Sequence, residues 1–102
     1  MKLIVHAVTS AILSMSLISA VQAGNAEAGK KKASTCFSCH GVNGIGSNNQ
    51  NPNLAGQKEA YLIKATNAYR DGNRNHKMME TMVRSLSNED VENIAAFYSG
   101  LK

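Results

Sequence analysis

The chain has 102 residues, with 11 Lys and Arg against 7 Asp and Glu, a formal net charge of +4, no Trp and two cysteines. That length holds one domain, and the positive excess is too small and too free of interleaved aromatics for a nucleic-acid-binding surface. A domain this small buries little apolar area and ordinarily leans on a disulfide, a metal or a tightly bound cofactor.

The first segment is an address rather than a structural element. Lys2 supplies a short positive region, residues Leu3 to Val21 are almost all apolar or small, and the stretch ends in Val21-Gln22-Ala23. This is the pattern of a secretory signal peptide, with cleavage expected after Ala23. An uncleaved membrane anchor is the alternative for an apolar run of this length. After cleavage, residues 24–102 form a single domain with no stable membrane insertion. The loss of Lys2 lowers the net charge to about +3.

Asn25 to about Cys36 reads as a short helix, with Asn25 as its cap, Glu27 in the first turn and Lys30, Lys31 and Lys32 later. The lysine run is a solvated helix face or a docking patch for an acidic partner. From Gly41 to Gly56 the helical pattern stops. That stretch holds four glycines, five asparagines and the only proline, Pro52, and reads as loop. A helical period returns between about Gln57 and Arg70, placing Tyr61, Ala65, Ala68 and Tyr69 near one face. Asp71-Gly72 breaks it, and a methionine-rich stretch runs from His76 to Val83. The last helix starts at the N-cap Ser87, with Asp90 as capping-box partner and Glu89 in the first turn. Its apolar stripe is Val91, Ile94, Ala95, Tyr98 and Leu101, flanked by Phe97, and Gly100 suits its end. The expected fold class is all-α.

Chemistry concentrates at Cys36-Phe37-Ser38-Cys39-His40. A thioredoxin-like dithiol would open a helix after a strand in a βαβ pattern, and no strand is evident. Structural zinc needs a fourth ligand, and His40 adjoins Cys39 too closely to share a tetrahedral site with both sulfurs easily. A disulfide across two intervening residues is strained and closes almost no loop. The spacing is instead the attachment signature of a c-type haem. Two thiols one helical turn apart can each add to a vinyl group of one porphyrin, and the next residue offers its imidazole to the iron. Covalent attachment also retains the cofactor in a chain too short to enclose it.

The other axial position separates a carrier from an enzyme. Met78, Met79 and Met82 lie about 40 residues beyond His40, far enough for the chain to return on the other face of the ring. Histidine with methionine is a ligand pair of cytochromes c. Methionine is equally a filler of apolar gaps, so one of the three is expected as ligand and the others as packing. His76 is the competing ligand, against a solvent-exposed side chain beside Lys77.

Three blocks carry a resemblance: "GKKKASTCFSCHGVNGIG", "PNLAGQKEAYLIKATNAYRDGNR" and "MMETMVRSLSNEDVENIAAFYSGL". In this order they resemble a class I cytochrome c of the small single-haem bacterial c-553 type, similar to one half of a di-haem cytochrome c4. The resemblance implies three to four helices wrapped around one covalently attached haem c, held by Cys36 and Cys39. It implies His40 and Met79 as axial iron ligands, because Met79 stands seven residues before Leu86 of the Leu-Ser block; Met78 is the fallback. It also implies that the Pro52 carbonyl accepts a hydrogen bond from His40, that Arg74 lies near a haem propionate, and that Gly29 lets the first and last helices cross opposite Phe97. Ala65-Thr66 departs from the Gln-Leu of relatives and suggests a looser or more polar wall.

The implied function is a periplasmic, monomeric, non-enzymatic electron carrier. It would transfer one electron at a time between respiratory redox proteins such as cytochrome complexes and terminal oxidases or reductases. A haem enzyme or gas sensor, and a subunit of a larger oxidase or dehydrogenase, are the readings from other classes.

Overall fold

The computed structural model describes residues 2–4, 11 and 24–102. The expected leader cleavage after Ala23 lies outside the described residues. Among the described residues there are five α-helices and no strand: α1 Ala26–Lys32, α2 Phe37–His40, α3 Glu59–Arg70, α4 Lys77–Val83 and α5 Asn88–Ser99. No helix among them is long and apolar enough to cross a membrane.

α1 begins where the sequence places it. The Asn25 side chain accepts the Ala28 N–H at 3.0 Å, and the lysines occupy the last turn, where they complement the helix dipole. The chain does not stop at Cys36, however. It tightens into a 3-10 segment over Ala33–Cys36 and resumes as α2 through His40. Gly41 ends it with φ 80°, a left-handed conformation that a glycine adopts without the steric penalty of a Cβ, and its N–H donates to the Phe37 carbonyl at 2.9 Å.

α1 and α5 cross in close contact at Gly29. A methyl group there would overlap the Asn93 carbonyl, so the contact is backbone on backbone. The backbone that Gly29 meets is that of Asn93, one turn before Phe97 on α5. Phe97 is a core residue, packed on Phe37 and Tyr98 with ring centroids 6.1 and 4.9 Å away. Ala33, Leu62, Ala95, Phe97 and Tyr98 form the buried cluster, with Phe37, Leu54, Ile63, Ile94 and Leu101 packed against it.

α3 packs on both α5 and α4. Its buried anchor is Leu62; Tyr61, Ala65 and Tyr69 of the expected face line the same side, although Tyr61 is 51% exposed. The loop from Gly41 to Gly56 is tied down by its backbone. Ser47 N–H donates to the Cys39 carbonyl at 2.9 Å, Leu54 and Ala55 both donate to the Gly44 carbonyl, and Gly56 donates to the Tyr98 carbonyl. Such pairing keeps a strandless loop from leaving backbone groups unsatisfied.

The methionine-rich stretch, for which the sequence suggests no element, is α4. Its cap is His76, whose Nδ1 accepts the Met79 N–H at 3.3 Å. α4 and the separate helix α2 raise the number of helices above the three to four expected. α5 carries the full capping box, with Ser87 Oγ and Asp90 Oδ2 each accepting the other's N–H at 3.0 Å.

Candidate functional site

A cleft of about 480 Å³ opens among α2, α3, α4 and α5, within the range of about 300–1,000 Å³ usual for cofactor sites. Cys36, Cys39 and His40 reach it from the α2 turn, and Pro52 and Leu54 from the loop. Leu62, Ala65 and Tyr69 reach it from α3, and Ile94, Ala95 and Tyr98 from α5. Met78, Met79 and Met82 reach it from α4, and Arg74 and His76 from the turn before it. All six residues expected at the site thus meet at one cleft: Cys36, Cys39, His40, Pro52, Arg74 and Met79.

The two described histidines make opposite kinds of contact at Nδ1. His40 is buried, and its Nδ1 lies 2.9 Å from the Pro52 carbonyl. A carbonyl accepts only, so His40 Nδ1 carries the proton and Nε2 keeps a free lone pair. The contact also fixes the ring plane. At His76 the Nδ1 is itself the acceptor of the Met79 N–H. Its proton therefore sits on Nε2, and that nitrogen has no lone pair for a metal.

The three methionines differ in environment. Met78 is 57% exposed and Met82 38%, while Met79 is half-buried. Arg74 is exposed and lies with its guanidinium 4.7 Å from the centre of the Tyr69 ring. Thr66 lines the cleft beside Ala65, and its hydroxyl donates to the Leu62 carbonyl at 2.8 Å.

Cys36 and Cys39 are not joined in a disulfide. Burial is the main cause that pushes the Cys36 thiol up, with the charge of Cys39 adding to it against a hydrogen bond from Thr35. Among the described residues no three His, Cys, Asp or Glu side chains converge on one point, so the pair lacks the ligand set of a zinc site. Tyr98 stands in the apolar stripe by sequence; it lines the cleft, and its hydroxyl is buried with no hydrogen-bond partner among the described residues. Burial, and secondarily the charge of Cys36, push that phenol well above its ordinary value, so it stays protonated. A large apolar group carrying some polar atoms fits these walls. The two thiols and His40 Nε2 are the atoms that would hold a haem, and the orphaned Tyr98 hydroxyl is a polar atom left for the occupant of the cleft. A hydroxyl within an otherwise apolar helical stripe was the signal available for it.

The family model described as cytochrome c matches residues 26–102. Cytochrome c-554(548) of Halomonas halodenitrificans is 48% identical over 80 residues, covering 76% of this chain and 96% of that protein. Cytochrome c4 of Pseudomonas aeruginosa is 40% identical over 80 residues, covering 78% of this chain and 40% of that protein. The solved structure of Acidithiobacillus ferrooxidans cytochrome c4 superposes with a TM-score of 0.73 at 26% identity, over 81% of this chain and 53% of that one. The chain thus spans nearly the whole of the first relative and about half or less of the cytochromes c4. The helices have the class I cytochrome c arrangement, and the attachment residues stand on the wall of its cleft. The chain belongs to the cytochrome c family of electron-transfer proteins that bear covalently attached haem c.

Proposed function

We propose that residues 24–102 form a single-haem periplasmic electron carrier. Cys36 and Cys39 are its thioether anchors, and His40 and Met79 its axial ligands. The observation that carries this reading is the contrast between the Nδ1 partners of His40 and His76. His40 presents a free Nε2 to the cleft, His76 does not, and Met79 is the most enclosed of the methionines lining the same space.

When bound, the haem supplies a one-electron iron couple. The chain's part is to hold the two ligand groups in fixed positions, so that little rearrangement accompanies transfer. The Pro52 carbonyl keeps the His40 ring oriented and raises its basicity. A thioether ligand and the apolar walls of Leu62, Ala65, Ile94 and Ala95 favour the less charged, reduced state. Export follows from the leader pattern of residues 1–23. The exposed Lys30 and Lys31, with Lys32 beside the cleft, suit brief encounters of a monomer with acidic redox proteins.

The test is the absorption spectrum of the ferrous holoprotein with and without carbon monoxide. A low-spin spectrum unchanged by carbon monoxide is expected from the wild type. Met79→Ala is expected to bind the gas, and Met78→Ala to behave as the wild type. A wild type that binds carbon monoxide readily would instead place the protein among ligand-binding or catalytic haem proteins.

A further inference from the structure

α4 has seven residues, Lys77–Val83. Two turns of helix are too short to be stable on their own, because nucleation costs more than so few hydrogen bonds return. The start of α4 is nonetheless where Met79 must be held still. Two side-chain bonds fall in its first turn: the Thr81 hydroxyl donates to the Lys77 carbonyl at 3.0 Å, and the N-cap His76 Nδ1 accepts the Met79 N–H itself at 3.3 Å. The cap residue thus bonds the very residue assigned to the iron.

A ring serves as a cap only while it stays in place, and the exposed His76 side chain has Tyr69 as its aromatic neighbour. It stands edge-on to Tyr69 of α3, with centroids 6.4 Å apart and planes at 77°. The Arg74 guanidinium covers the same Tyr69 ring at 4.7 Å, and the Arg74 N–H donates to the Ala68 carbonyl at 3.0 Å. The turn between α3 and α4 is therefore folded back on the end of α3. A continuous run of contacts passes from that helix through Tyr69 and His76 to the Met79 backbone.

We propose that His76 is a positioning residue. By capping α4 at Met79 with a ring edge-on to Tyr69, it sets how firmly the sixth-ligand side of the cleft stays closed to an outside ligand. This rests on the assignment of Met79 as axial ligand. His76 does its work through the Met79 backbone and not by touching the iron, and Arg74 takes part by stacking on Tyr69.

The experiment compares the holoproteins of the wild type, His76→Ala, His76→Asn and Met79→Ala. Two quantities are read: the sulfur-to-iron charge-transfer band of the ferric state, and carbon monoxide binding by the ferrous state. His76→Ala is expected to weaken the band and raise carbon monoxide affinity about fivefold, the factor that loss of a helix cap gives. His76→Asn, whose short amide caps well, is expected to restore both. An alanine variant that matches the wild type overturns the proposal, and so does an asparagine variant as impaired as alanine. If Met79→Ala loses the band while His76→Ala changes nothing, only the positioning role fails. If Met79→Ala keeps the band, the ligand assignment fails and takes the positioning role with it.

Discussion

At the scale of single residues, what matters is which atom of a side chain is left free. His40 and His76 are the same residue type at the edge of one cleft, and a carbonyl in one case and an N–H in the other decide that only His40 keeps Nε2 available. The attachment turn itself was legible in sequence, because its chemistry lies in five contiguous residues. The partner of His40 is twelve residues away and depends on how the loop returns, so it entered only through resemblance. Tyr98 was legible as apolar core and not as a polar group, since nothing local says where its hydroxyl ends. That hydroxyl has no partner among the described residues. If the bound cofactor or a water it orders meets the hydroxyl, Tyr98→Phe should lower holoprotein stability by about 1 kcal/mol, the usual worth of one such bond. Equilibrium denaturation followed at the haem band measures this, and an unchanged or higher stability would show that the hydroxyl stays unmet.

At the scale of elements, local signals held where the stabilising partners are close in sequence. The Asn25 cap and the Ser87–Asp90 box are contacts across three residues, and both are formed. Ser87→Ala should cost about 1 kcal/mol. Asp90 is held below the ordinary carboxylate range, first by the Ser87 backbone N–H, with the Ser87 hydroxyl and Lys32 as smaller contributions. A depressed pKa means that this contribution is present above the unfolded value and is lost as pH falls through the folded one. Stability should therefore decline on acidification below the usual carboxylate range, and more steeply in the wild type than in Asp90→Asn. Thermal melts across that window read the difference. α4 escaped the sequence because its cap is a histidine, an uncommon capping residue, and its start depends on Tyr69 in another helix.

At the scale of the whole molecule, the buried apolar set among the described residues is small: Ala33, Leu62, Val83, Val91, Ala95, Phe97 and Tyr98. Leu54, Ile94 and the methionines of α4 add apolar surface along the cleft. A chain lacking both attachment thiols (Cys36→Ala with Cys39→Ala) should lose most of its helical circular dichroism at ordinary temperature, because too little core is left to offset chain entropy. Native-like helicity in that variant would mean that the walls support themselves. Surface charge belongs to the same scale. Electron transfer to an acidic redox partner should slow as ionic strength rises, in keeping with screening over about 10 Å at 0.1 M salt. Stopped-flow rates across a salt series provide the check, and a flat response would remove electrostatic steering by Lys30, Lys31 and Lys32.

The sequence by itself determined the covalent attachment turn, the all-helical class and the well-capped last helix. Each rests on residues within a turn or two of one another, so their geometry follows from local backbone rules. Only the tertiary structure decided that Phe97 is core, that Gly29 meets Asn93, that Leu62 is the buried anchor of α3, and that the methionine segment is a helix capped by His76. Those outcomes depend on which surfaces meet when α1, α3, α4 and α5 close around the cleft. That choice is made by packing between segments tens of residues apart, where periodicity and propensity carry no information.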